Sequence, residues 1–366
     1  MGTENLPATH RGSSHNDLAM TEPLRTPPRR VRRVPLALGL VLTGGLLLVT
    51  VVVSLAVGNK FVPFPDVVTA LLSVGDRAVN DTYSETVVAS RIPRTILGLM
   101  AGAALAVAGA VMQGVSRNPL GDPGLFGVNA GAAAAIVTGT AFFGLGSAAT
   151  SVWVALPGAF IAVVMVYLLG AGTRGGATPV RLVLAGVVVT AVLVAYIQAV
   201  ALSLPSVFDS YRFWVVGSLA GRDPQLILDG MPFIIVGLVL ALALARPLNA
   251  IALGDDTAQA LGVRVGRTRI LGAVSTTLLC AAATAMVGPI AFVGLAVPHI
   301  VRTFTGLDHR WLLSYSLLAG PILLLLADIV GRVIASPAEL MVGIITAFVG
   351  APILLLAVRR MNGRTP

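Results

Sequence analysis

The chain has 366 residues, of which 25 are Lys or Arg and 16 are Asp or Glu, so charged side chains make up only 11%. A soluble domain carries about 25%; with 56% hydrophobic residues and a mean hydropathy of +0.90, this chain cannot cover the surfaces of two or three soluble domains. A soluble enzyme, a disordered protein and a nucleic-acid binder are excluded for the whole chain, because the isoelectric point of 10.9 comes from basic residues set beside long apolar runs.

Residues 1–34 are polar and rich in Pro and Arg, and are expected to form a disordered basic tail. The apolar run that follows, 34–59, exceeds the roughly 7–15 residues of a signal-peptide core and is expected to stay as a first span. Further runs free of Asp, Glu, Lys and Arg cover 95–116, 123–173, 182–208, 230–245, 270–301, 311–327 and 340–358. A span takes about 20 apolar residues. The run 123–173 therefore holds two, broken around Gly144–Gly146, and 270–301 holds one and starts a shorter one at Gly288-Pro289. The count is ten, which predicts an all-α polytopic membrane protein with a single transmembrane domain over 35–360 and a C-terminal tail, 361–366. The lone cysteine, Cys280, lies inside an apolar run and leaves no intrachain disulfide possible.

An even count puts both termini on one side. That side holds 18 of the 25 basic residues, including Arg117, Arg246, Arg264, Arg267, Arg269, Arg302 and Arg310. Lys60, Arg77, Arg91, Arg94, Arg212, Arg222 and Arg332 fall on the other. The positive-inside rule makes the richer side, and both termini, cytoplasmic.

Three stretches carry local information. In 91–124, Arg91 and Arg94 share a helix face, and Pro93 suits a first helical turn. Gly98, Gly102, Ala106, Ala110 and Gly114 then recur every four residues, a small-residue stripe suited to close helix packing. The turn 118–124 follows, where Asp122 is placed to cap a helix beginning at Pro123. In the loop 246–269, Asp255 and Asp256 favour a helix start and Gly262 a stop. A helix that short is marginal in water, so the pattern fits either a solvated connector or a docking site for a cytoplasmic partner. In 288–304, His299 is the one histidine expected inside a span; with no second His, Cys or carboxylate at ligand spacing it is read as structural, and no metal site is expected.

Absences narrow the chemistry. Lys60 is the only lysine and lies outside any Walker A pattern, and neither HExxH nor GxSxG occurs, so no catalytic residue is assigned. Asp328 and Glu339 are placed at the outer ends of the last two spans, which counts against a proton-driven carrier.

Four segments in order, RIPRTILGLMAGAALAVAGAVMQGVSRNPLGDPGLFGVNAGA, LGDDTAQALGV, GPIAFVGLAVPHIVR and LLADIVGRVIASPAELMVGIITAFVGAPILLL, resemble the FecCD-type permeases, the membrane subunits of ABC importers for ferric siderophores, haem and cobalamin. The resemblance covers about 35–360. It implies the type II importer architecture, with spans 2–5 and 7–10 related as an inverted repeat. It also implies a multi-pass protein of the bacterial plasma membrane, without cofactor, that pairs with a second permease subunit (a copy or a paralogue), a cytoplasmic ATPase dimer and an extracytoplasmic siderophore-binding protein.

Residue by residue, the resemblance gives docking of the binding protein to Arg91, Arg94 and Arg332, expected to gather as a positive patch at the outer mouth. It gives ATPase coupling to 254–262, with Gly254, Asp255, Asp256, Ala258, Leu261 and Gly262. The pathway falls to about 182–204 and 340–358. The cytoplasmic gate region falls to Thr178, Pro179 and Val180; the cobalamin permease has small hydroxyl residues there, so Pro179 and Val180 lean toward an iron–siderophore substrate. The alternatives are haem or cobalamin as substrate, or a secondary transporter without an ATPase.

Overall fold

The computed structural model describes residues 35–72, 83–145, 148–171 and 179–362. The tail expected over 1–34 lies outside them. All regular structure among the described residues is helical: α1 (Leu36–Ala56), α2 (Phe64–Leu72), α3 (Tyr83–Ser116), a 3-10 turn (Pro123–Phe126), α4 (Val128–Phe143), α5 (Ala148–Ala171), α6 (Pro179–Ser203), α7 (Pro205–Trp214), α8 (Gln225–Ala243), α9 (Ala245–Ile251), α10 (Asp255–Ala260), α11 (Val265–Val287), α12 (Val293–Thr305), α13 (His309–Ile334) and α14 (Val342–Asn362). Seven are long and apolar enough to cross a membrane: α1, α3, α5, α6, α8, α11 and α13. Beside them stand two shorter apolar stretches, α4 and Val342–Leu355 of α14, and α12 covers the shorter segment expected after Gly288-Pro289.

The bundle is built around α3, which packs on α13, α11 and α12. Its most apolar window is 83% buried, against 6% for α1 at the periphery. Association inside lipid gains little from hydrophobicity and depends on close backbone approach. The small-residue stripe supplies that approach. A methyl group added at Gly102 would stand 2.6 Å from the Cα of Pro321, and Gly320 faces Gly102 and Ala106 from the other side. Around the helix, Gly109 meets Gly294 of α12 so closely that neither position has room for a side chain.

Two of the short helices begin inside the bundle. Gly127, the residue before α4, has φ 75°, and a Cβ there would stand 3.6 Å from Thr190 Oγ1 and 3.8 Å from Ala162 Cβ, in the middle of α6 and α5. Phe292, the residue before α12, has φ 69° and lies against Gly350, in the middle of α14. Irregular backbone at such depth is tolerated where protein surrounds it. The two half-length helices occupy corresponding places in α3–α6 and α11–α14. Packing partners exchange in the same way: α3 on α13 matches α11 on α5, α4 on α5 matches α12 on α13, and α4 on α6 matches α12 on α14. These are the marks of the inverted repeat.

Several boundaries differ from the expected ones. Pro93 is not in a first turn; α3 starts at Tyr83, and Pro93 sits in its interior. The run 182–208 is divided, because the residue before a proline is driven to extended backbone. Leu204 has φ −128° and ψ 97°, and Pro205 opens the separate helix α7. Helix α2 also lies outside the expected spans; it is too short to cross and buries only Val67 and Ala70. His309, two residues before the apolar run 311–327, opens α13 and is buried.

Gly102→Leu is expected to lower stability by about 1–3 kcal/mol, since the opposing atoms are Pro321 backbone and cannot swing away. Gly44→Leu, with nothing within 4 Å, should be silent. Thermal melting of the two variants in detergent checks this; equal midpoints would move the packing face elsewhere.

Candidate functional site at the two ends of the bundle

One end of the bundle is basic and carries α9 and α10. The opposite end gathers Arg91, Arg94 and Arg332, as the sequence reading expects, but not as an open positive patch. Asp328 binds two of the three. Arg94 donates to both of its carboxylate oxygens, with Nη2 2.7 Å from Oδ1 and Nε 3.0 Å from Oδ2, while Arg332 Nη2 lies 3.1 Å from Oδ2. Arg94 Nη1 also donates to Glu339 Oε2 at 2.7 Å. Arg332 is 1% exposed and Arg91 8%. Three guanidinium groups at one point repel unless paired, and burial raises that cost. The carboxylates read as end-of-span markers are the partners that satisfy it.

Arg91 has no carboxylate partner in this cluster. Its Nη1 donates to the carbonyls of Leu55 and Ala56 at 2.8 and 3.0 Å, and its Nη2 donates to that of Lys60 at 2.7 Å. Leu55 and Ala56 end α1. The last carbonyls of a helix lack intrahelical donors and carry the negative end of its dipole, so a cation is favoured there. Arg332 Nη1 adds a bond to the Ser54 carbonyl at 3.0 Å, and Asn59 reaches the Pro337 carbonyl at 3.1 Å. The cluster thus ties α1, α3, α13 and the segment before α14 together. Counted alone, three arginines against two carboxylates leave it one positive charge.

At the basic end, α9 and α10 are held by specific contacts. Asn249 of α9 donates Nδ2 to Asp308 Oδ1 at 2.7 Å and accepts from the His309 backbone N–H at 2.8 Å. The Asn249 donation holds the Asp308 carboxyl below the usual carboxylate range. Asp255, at the start of α10, pairs with Arg269 of α11 at 2.9 Å and with Arg117, just past α3, at 3.5 Å. Ala258 is fully buried against Ile251 and Val265. Gly254 and Gly262 bracket α10 with φ 110° and 81°, conformations that glycine adopts without strain. Asp256 is exposed, and Leu253 and Leu261 stand out 66% and 63% exposed on either side of the helix.

The expected gate region is only partly covered: Thr178 lies outside the described residues, Pro179 opens α6, and Val180 is exposed. His299 sits in α12, away from any cluster of His, Cys, Asp or Glu able to hold a metal among the described residues.

The chain as a whole is similar to known transport proteins. Residues 46–360 match the FecCD transport family. The chain belongs to that family. It is 46% identical over 315 residues to the ferric enterobactin transport system permease protein FepD of Escherichia coli K12, covering 86% of this chain and 93% of FepD. It is 39% identical over 274 residues to the iron(3+)-hydroxamate import system permease protein FhuB of Bacillus subtilis 168, covering 74% and 70%. A solved structure described as an inward-facing metal-chelate type ABC transporter aligns with TM-score 0.75 at 29% identity, over 89% of this chain and 99% of that one. As a FecCD member the chain is a transport permease, not an enzyme.

The FecCD resemblance named Arg91, Arg94 and Arg332 at one end and 254–262 at the other, but not the partners that they meet. Asn249, Arg117, Arg269 and His309 position α9 and α10, and each meets its partner only through the fold. Asp328→Asn is expected to cost about 3–5 kcal/mol, because it strands buried Arg332 and Arg94. Adding Arg332→Met should recover part of the loss by removing one stranded charge. Melting midpoints of the single and double variants check this; an Asp328→Asn variant as stable as the parent would show the pairing to be idle.

Proposed function

We propose that this chain is the permease subunit of an ATP-driven importer that moves a ferric siderophore into the cytoplasm. Two such subunits enclose the pathway, an ATPase pair docks at the basic end, and an extracytoplasmic siderophore-binding protein docks at the other. The observation that carries the reading is α10: a six-residue helix fixed by Ala258 and Asp255 yet presenting Leu253 and Leu261 to the outside. A solvated connector has no use for two exposed leucines on a firmly held helix, whereas a partner's cleft does. The excess of basic residues at that end supports its assignment to the cytoplasm, with both termini.

FepD acts on ferric enterobactin and FhuB on iron(3+)-hydroxamate, which supports an iron chelate over haem or cobalamin as the cargo. Pairing with a second permease subunit is supported by membership of the FecCD transport family. Docking of the binding protein over Arg91, Arg94 and Arg332 is supported by the charge of that cluster. A hollow of about 260 Å³ lies there, lined by Lys60, Tyr83, Glu339 and the three arginines among others.

Leu261→Asp tests the coupling assignment. The side chain is exposed, so thermal stability should hold while ATPase copurification and iron-chelate uptake are both lost. An ATPase that copurifies normally with Leu261→Asp would mean that coupling lies elsewhere.

A further inference from the structure

Helix α2 (Phe64–Leu72) has no place in the function proposed above, yet its surface is strongly sided. Val67 and Ala70 join a small apolar cluster with Leu55 and Ala56 at the end of α1 and Val88 of α3. Phe64, Val68, Leu71 and Leu72 are all exposed, Phe64 to 58% and Leu72 to 84%. They stand at i, i+4, i+7 and i+8, within an arc of about 100° at 3.6 residues per turn. Phe61, just before the helix, is a further uncovered apolar side chain, 72% exposed. Asp66 and Thr69 occupy the remaining side. Asp66 accepts from Ser84 Oγ at 3.3 Å, and Thr69 is exposed. One helix thus carries a buried face, a polar face and an apolar face that no part of the described chain covers.

The depth of that apolar face is set by α1. Helix α1 has 21 residues, with Leu42, Leu46 and Val49 among its many exposed apolar side chains. At 1.5 Å per residue it is about 31 Å long, the thickness of a bilayer's hydrocarbon core. Its last residues therefore lie at the edge of that core, and α2 is packed against them. At the same level Lys60 Nζ stands 4.6 Å from the centre of the Tyr83 ring. Tyrosine is enriched at membrane–water boundaries, and lysine reaches from there to the headgroups. In water an apolar face of this size would stand unsatisfied, and in the hydrocarbon core the polar helix ends would. The boundary between them suits both.

We propose that α2 is an interfacial foot, lying in the plane of the membrane at the arginine-cluster end with Phe61, Phe64, Val68, Leu71 and Leu72 set among the lipid acyl chains. Its occupant is lipid rather than a protein. The face carries no charge, so a partner that docks through carboxylates on Arg91, Arg94 and Arg332 gains nothing from it, and it continues the uncovered apolar surface of α1. The link that joins the two helices also supplies the Lys60 carbonyl to Arg91. The inference concerns the membrane alone and depends on neither the cargo nor the ATPase.

The test uses the full chain in nanodiscs of phosphatidylcholine, with a thiol-specific nitroxide on one introduced cysteine. Cys280 is buried, so the parent should take up no label and serves as the control. Phe64→Cys, Val68→Cys and Leu71→Cys report the apolar face, and Thr69→Cys the polar one. Collision with oxygen, which concentrates in the bilayer, and with a water-soluble nickel chelate reads depth. The three apolar positions should show an oxygen-to-nickel ratio several-fold above that at position 69. Raised salt, or exchange of the lipid for phosphatidylglycerol, should leave the ratios unchanged, because the face is uncharged. Adding Phe64→Asp should move the Leu71→Cys label toward water, since a carboxylate resists transfer out of it. A label at Leu42→Cys in α1 should stay in lipid in that same variant, which separates lifting of the foot from loss of the fold. Equal nickel access at positions 68 and 69 would put the face in water, open to a protein partner, and would overturn the foot. Protection that appears only in phosphatidylglycerol would overturn it too, by assigning the attachment to the Lys60 charge.

Discussion

The closeness of α3 to its neighbours is the constraint on which the rest of the structure depends. Inside lipid, an apolar face gains almost nothing by turning from acyl chains to another helix, so contact must come from van der Waals fit and from polar groups shared between helices. Helix α3 meets that demand with glycine and alanine on more than one face. Gly102 lets α13 approach, and Gly109 lets α12 approach through Gly294. Because α3 is surrounded in this way, it relays position between α13, α12 and α11, and both functional ends attach to one or more of these four.

At the outer end the fold solves an electrostatic problem with few groups. Five charged side chains share one small volume, and each arginine finds a different kind of partner: a bidentate carboxylate for Arg94, the carboxylate of the preceding turn for Arg332, and helix-end carbonyls for Arg91. A buried ion pair returns little net stability against an apolar replacement, but it penalises misplacement heavily. Its effect here is positional. It pins the ends of α1, α3 and α13 against one another, and leaves one surplus positive charge within the cluster.

The inner end works by a different principle. Helix α10 has too few residues to persist unaided, so its shape is borrowed from what it touches. Ala258 seats it on α9 and α11, Asp255 joins it to Arg269 and Arg117, and Asn249 carries α9 onto the start of α13. A push on α10 is therefore delivered to the ends of α3, α11 and α13 together.

Much of this was legible in the residues. The apolar runs established a ten-span helical protein, the four-residue repeat of small side chains marked the packing face of α3, and Asp255 with Gly262 marked a short capped helix. Each is a local property, set by hydropathy, side-chain size or backbone freedom over a few adjacent residues. What the sequence did not show was which distant residues would meet. Asp328 and Glu339 looked like markers of span ends and proved to be the partners of Arg94 and Arg332, so an expected patch of positive charge became a nearly balanced buried network. Asn249, His309 and Arg117 gave no signal, because their roles exist only once α9, α13 and the end of α3 lie side by side. Ionic pairing and close packing join residues more than 200 positions apart, as from Arg94 to Asp328. No local periodicity encodes that pairing; the inverted repeat and the close approach around α3 decided it.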